Sequence, residues 1–311
     1  MPDLSNRLPA AGRLAALPLL LTIVTACTGA TTSPPPSATS TPPGESAHPI
    51  VTPGPTVGAI DHKTGATDVV LRLEEGGGFV PIDFLAGQAP TFTLYGNGVI
   101  VFQPKVETSP QPDAAGVVHG VPWRTAKLDE GQIQDLLAFA LGPGALGTAR
   151  DSYLDPRIAD APNTFFTIDA GGVDKTVVIS ALSDQAEGAD AAARSGFWKL
   201  ASRLRDFDAG GSIATDAYQA DRYRGVLFER EPQTGPAAVP WPWTDIPVSQ
   251  FKAEALPDGG TSLPRHTLTP ANVDALGIKD VTGGLQGVVI SAPNGKSYTL
   301  TVRPLLADEQ G

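Results

Sequence analysis

The spacing of apolar side chains changes several times along the chain, and each change predicts a different kind of structure. Leu14 to Val24 is nearly all apolar, whereas Thr28 to about Thr56 has almost no apolar residues. Beyond residue 58 strand-like and helix-like periods alternate. Val69-Val-Leu-Arg-Leu-Glu74 alternates over its second half and predicts a strand, ended by Glu75-Gly-Gly-Gly78. Thr91 to Tyr95 and Val99 to Phe102 predict a hairpin, because Gly96-Asn97-Gly98 between them can supply positive φ. A helix follows. Asp129 is its predicted N-cap with Gln132 three residues on, Leu128 and Ile133 form a staple, and Ile133, Leu136, Leu137 and Ala140 share one face until Gly142-Pro143-Gly144. Thr164 to Ile168 and Thr176 to Ile179, around Asp169-Ala-Gly-Gly172, predict a second hairpin. A longer helix from about Glu187 to Phe207 stacks Phe197, Leu200, Ala201 and Leu204.

After Gly210-Gly211 the order recurs in reduced form. Tyr223 to Glu229 reads as a strand, and Leu268-Thr-Pro-Ala-Asn-Val273 repeats the staple and cap spacing of residues 128–133, with Pro270 at the first helical position. Val288 to Ile290, a Pro293-Asn-Gly295 turn and Tyr298 to Val302 form a closing hairpin. Antiparallel hairpins packed with two or three helices predict an α+β fold. The recurrence of helix then hairpin suggests two related halves, either an ancient duplication or two uses of one common unit. Few identities align, which favours the second.

Composition narrows the partners. The hydrophobic fraction of 41% and charged fraction of 18% are those of a globular chain. The formal charge of −11 becomes −12 once Asp3, Arg7 and Arg13 are removed with the N-terminal leader. Such a balance excludes a nucleic-acid partner and a polybasic membrane patch, both of which need clustered Lys and Arg. An acidic surface mainly serves solubility.

Arg7 and Arg13 before the Leu14 to Val24 run make a signal-peptide pattern, too short for the roughly 20 apolar residues that span a bilayer. The run ends in Val24-Thr25-Ala26-Cys27, which resembles the lipobox of bacterial prolipoproteins. That resemblance implies diacylglycerol transfer to the Cys27 sulfur and cleavage before it, with Val24, Thr25 and Ala26 as the signal-peptidase recognition residues. The competing reading is an ordinary secretory leader with Cys27 a bystander. Cys27 is the only cysteine, so no intramolecular disulfide can form, and two or three acyl chains on one residue anchor far more stably than one. The Pro-, Ser- and Thr-rich stretch that follows lacks the side chains for a core and predicts a spacer reaching roughly 30 Å as a coil and about 90 Å as polyproline II. Gly76 to Val80 with Phe92 to Gly98 is similar to a segment of uncharacterised exported proteins from high-GC bacteria. It implies an envelope protein and no particular activity.

Candidate chemistry is sparse. Ser249-Gln-Phe-Lys252 and Lys63-Thr-Gly65 have the form of penicillin-binding protein motifs, but their order is reversed, and Pro247 with the flanking alternation predicts strand or loop at Ser249. The histidines, His48, His62, His119 and His266, are scattered, with no metal-ligand spacing, so neither a metal site nor a cofactor is expected. Asp151, Asp155, Asp160, Asp169 and Asp174 fit no calcium loop and read as solvated turn residues. Trp241 and Trp243, held by Pro240 and Pro242, are the partner-binding candidates, since tryptophans dominate binding hot spots. The alternative is that they plug the core between the halves.

The expected organisation is a signal peptide over 1–26, lipidated Cys27 and tether over 27–57, an α+β domain over 58–211, and a smaller α+β domain or continuation over 212–311. The expected function is a membrane-anchored extracytoplasmic lipoprotein, held to the membrane through Cys27, that acts as a non-catalytic binding or scaffold protein for an envelope protein or ligand. An envelope hydrolase whose site assembles only in three dimensions is the alternative.

Overall fold

A computed structural model describes residues 58–155, 158, 160–208, 211, 213–230, 238–255 and 260–310. Cys27, Val24, Thr25, Ala26, His48 and the tether lie outside the described residues. Residues 54–311 cluster as one compact unit.

The strands in chain order are β1 (Val69–Gly77), β2 (Phe92–Tyr95), β3 (Val99–Phe102), β4 (Val118–His119), β5 (Arg124–Lys127), β6 (Ser152–Tyr153), β7 (Pro162–Ala170), β8 (Val173–Ser180), β9 (Asp216–Ala217), β10 (Tyr223–Arg230), β11 (Val239–Pro240), β12 (Arg265–Leu268), β13 (Leu285–Ser291) and β14 (Ser297–Pro304). The helices are α1 (Ile82–Gly87), α2 (Glu130–Leu141), α3 (Ala191–Arg205) and α4 (Pro270–Asp274). The fold is α+β, with two sheets. One runs β6-β8-β7-β1-β2-β3-β5-β9; the other runs β11-β13-β14-β10-β12, with β4 on the edge of β13 beside β11. Among the described residues, only β6 with β8 and β11 with β13 pair in parallel.

Side-chain period explains the layers. On β7, Thr164, Phe166, Ile168 and Ala170 are buried while their neighbours are half-buried or exposed, the two-residue alternation of a strand with one face on a core. That face meets α2 through Ile133, Leu136, Leu137 and Ala140, and α3 through Phe197, Leu200, Ala201 and Leu204. The second sheet packs Tyr223, Leu227, Leu300 and Val302 with Val273 of α4. The α2 start follows its sequence closely: Asp129 Oδ1 accepts from Gln132 N at 2.8 Å, and Gln132 Oε1 accepts from Asp129 N at 2.9 Å. Thr269 and Asn272 repeat this box on α4, with Pro270 at its first turn.

Two expectations shift. The second long helix starts at Ala191 rather than near Glu187, because Gly188 at φ +80° cannot continue a right-handed helix. Ser249 lies in a single 3₁₀ turn, Val248–Gln250, directly after extended Pro247. The sheets also exchange short strands: β4 joins β13, and β9 joins β5. A small third cluster of Tyr95, Val101, Trp123 and Leu306 lies where they meet.

Candidate functional site at the junction of the sheets

The junction is built from β1, α1 and the ends of β10 and β14. At the end of β1 the backbone turns through Gly77 and Gly78, both at positive φ, then passes Pro81 into α1, which lies across β13 and β14. This crossing strap leaves large apolar side chains in solvent: Phe79 is 96% exposed, Phe84 49% and Leu85 42%.

Beneath the strap, one face of the second sheet carries three arginines. Arg224 and Arg303 are direct cross-strand partners on β10 and β14, and Arg265 faces Val226, two residues along the same face. Like charges placed opposite each other repel. Glu309, in the segment after β14, relieves part of this repulsion. Its carboxylate accepts from Arg303 Nη1 at 2.9 Å and Nη2 at 2.6 Å, and from Leu306 N at 2.9 Å. Burial works to raise the Glu309 carboxyl, but the Arg303 hydrogen bonds and charge, the Leu306 N–H and Arg224 outweigh it and hold it below the usual range. Arg224 fares worse. It reaches Glu309 at only 3.6 Å, and burial followed by repulsion from Arg303 pulls its guanidinium down to about 10.

The next residues bind the same segment to the first sheet. Asp308 Oδ1 accepts from Arg72 Nη2 and from the Tyr95 hydroxyl, each at 2.7 Å. Burial first, then its hydrogen bond to Asp308, raise the Tyr95 phenol well above its ordinary value. Burial also raises Glu74, with Arg72 at 3.7 Å too distant to offset it.

Two hollows share Gln88 and Arg303. One, of about 240 Å³, is lined by Glu74, Glu75, Phe165 and Glu309 among others. The second, of about 160 Å³, is lined by Leu85, Arg224, Val226, Leu263 and Arg265 among others. Among the described residues, three buried side-chain polar atoms lack a hydrogen-bond partner: Gln88 Nε2, Arg224 Nε and Thr301 Oγ1. Gln88 and Arg224 line the second hollow, and Thr301 pairs with Val226 of that lining and lies two residues from Arg303 on the same face.

The residues singled out by sequence sit elsewhere. Trp243 is buried at 5% exposure and donates from Nε1 to the Asn272 carbonyl at 2.8 Å. Trp241 is half-buried, donates to the Ile246 carbonyl at 2.9 Å and meets Trp243 edge to face. Both pack with Phe251 in the second core, leaving only part of Trp241 to a partner. Lys63 is bound to Asp169 at 2.6 Å beside the first sheet, while Ser249 and Lys252 belong to the second. His62 meets Glu130 and the Lys63 carbonyl, His119 meets Asp113 and the Asp280 carbonyl, and His266 lies against Phe251 with the rings tilted by 51°. None of these three has a Ser or Thr hydroxyl as partner. Among the described residues no group of three His, Cys, Asp or Glu is placed to hold a metal ion.

Sequence reading missed the arginines because each looks like an ordinary polar position in an alternating strand. A weak signal was present: Arg224 and Arg303 occupy runs where their neighbours are apolar, in a chain poor in basic residues. Comparison with protein-family models, curated proteins and solved structures finds no match for this chain.

Proposed function

We propose that the protein is a lipid-anchored extracytoplasmic lipoprotein that binds another envelope protein without catalysing a reaction on it. The lipobox-like Val24 to Cys27 and the spacer behind it support the anchor. One observation carries the binding role: Phe79, Phe84 and Leu85 expose large apolar side chains within seven residues. Contiguous exposed apolar surface on a soluble domain marks an interaction site. Charge selects the partner's class. Between Glu74 and Gln88 the chain carries no Lys or Arg, and the basic groups nearby, Arg205 and the three arginines beneath the strap, face Glu75, Glu309 and Glu254, so an apolar recess on a protein is favoured over an anionic lipid surface.

A photo-crosslinking side chain at Phe79 of the full chain, in its own envelope, tests this reading. It should give one discrete protein adduct that the same group at exposed Val106 does not give. No adduct, identical adducts from both positions, or adducts to lipid alone contradict the proposal.

A further inference from the structure

The partnerless polar atoms at the junction point to a ligand of a different kind from the apolar strap's partner. We propose that the hollow lined by Arg224, Arg265, Arg303 and Gln88, with Thr301 two residues from Arg303 on the same face, binds a small free oxyanion, a phosphate or a carboxylate.

Three observations converge. The first is chemical. The Gln88 amide nitrogen and Arg224 Nε are donors, and the Thr301 hydroxyl can donate, so each of them suits a molecule that only accepts hydrogen bonds. A buried polar group without a partner costs roughly 1–3 kcal/mol. Three within one small region mark a place where the fold alone does not complete the hydrogen bonding.

The second is electrostatic. Among the described residues the lining of this hollow holds three guanidiniums and no carboxylate. Glu309, shared by Arg303 and Arg224, and Glu254, paired with Arg265, neutralise them from outside that lining. Arg224 is the least neutralised of the three, because Arg303 already holds Glu309 through both of its terminal nitrogens while Arg224 stands 3.6 Å from it and otherwise donates to the Gln310 carbonyl at 2.9 Å. An anion beside Arg224 would relieve the same cross-strand repulsion that Glu309 relieves beside Arg303.

The third is size. A hollow of about 160 Å³, walled on its apolar side by Leu85, Val226 and Leu263, is large enough to admit a phosphate or carboxylate group. Planar guanidiniums suit such groups, because they present paired N–H donors to paired oxygens.

The test titrates the full chain, purified in detergent, with inorganic phosphate and separately with acetate. Total ionic strength is held constant with sodium chloride, and heat release and the thermal midpoint are followed. At least one anion should bind saturably and raise the midpoint, and the tighter of the two identifies the head group. Arg224→Gln should weaken that binding tenfold or more. Thr301→Val and Gln88→Leu each remove a partnerless atom, so their ligand-free midpoints should equal or exceed the wild type while their affinity falls several-fold. These two variants decide the matter if Arg224→Gln does not fold. Absence of saturable binding by either anion, or binding unchanged in Thr301→Val and Gln88→Leu, overturns the proposal. Neither result depends on the crosslinking outcome at Phe79.

Discussion

Gly98 shows how far a single position can be read ahead of the structure. The sequence placed it in a turn needing positive φ, and it lies at φ +82° between β2 and β3. A second constraint was hidden: a Cβ there would stand 2.7 Å from the Leu128 carbonyl, which leads into α2. Gly98→Ala combines strain with a backbone clash and should cost about 2 kcal/mol or more, measured by urea denaturation. Gly120 and Gly283 give the opposite lesson. A Cβ on either would collide with the other's backbone, so the two segments cross in direct contact. Nothing within 160 residues of sequence signals that approach. Trp241 and Trp243 fall between these cases. Their rigidity was legible, but which faces were covered depended on Asn272 and Phe251, far along the chain. Trp243→Ala should cost about 3–5 kcal/mol in the same assay, and Trp241→Ala less.

Local signals specify elements well where the chain both starts and covers them by itself. For α2, the cap, the staple and the buried face were all in one 14-residue window, and Asp129→Ala should cost about 1 kcal/mol. Short elements were not legible. Strands β4, β6, β9 and β11 have two residues each and exist only because a longer strand elsewhere offers an edge. The recurrence of helix then hairpin is present in the structure, yet the hairpins dock by opposite strands. β7, the first strand of its hairpin, lies beside β1, whereas β14, the second strand of its own, lies beside β10. The segment after β14 shows what tertiary context adds. Glu309 has a lowered pKa, so its stabilising contribution is complete above the ordinary glutamate value of 4.5 and is lost as pH falls through its folded value. Glu309→Gln leaves Arg224 and Arg303 facing each other without that charge. It should cost about 3 kcal/mol near neutrality, and stability measured against pH should show the gap to wild type closing as the pH falls below the ordinary glutamate value and through the lowered value of Glu309.

For the whole molecule, the α+β class followed from strand and helix periods, whereas the arrangement of two sheets that exchange short edge strands did not. Periodicity reports which face of an element is buried, but not against what. The junction was invisible for that reason: Arg72, Gln88, Arg224, Arg303, Asp308 and Glu309 are brought together from opposite ends of the described chain. The proposed address rests on different information, a contiguous signal over residues 7–27 that works before the domain folds. Among the described residues no helix is long and apolar enough to cross a membrane. Attachment through Cys27 would thus let the junction and its apolar strap act at the end of a spacer, at roughly 30 to 90 Å from the membrane.

The most direct test of the anchored-lipoprotein account is the intact mass and N-terminal peptide of the mature protein isolated from its own membranes. The account predicts a chain beginning at Cys27, with diacylglycerol on its sulfur. A mature protein that begins elsewhere, or a Cys27 carrying no lipid, contradicts it.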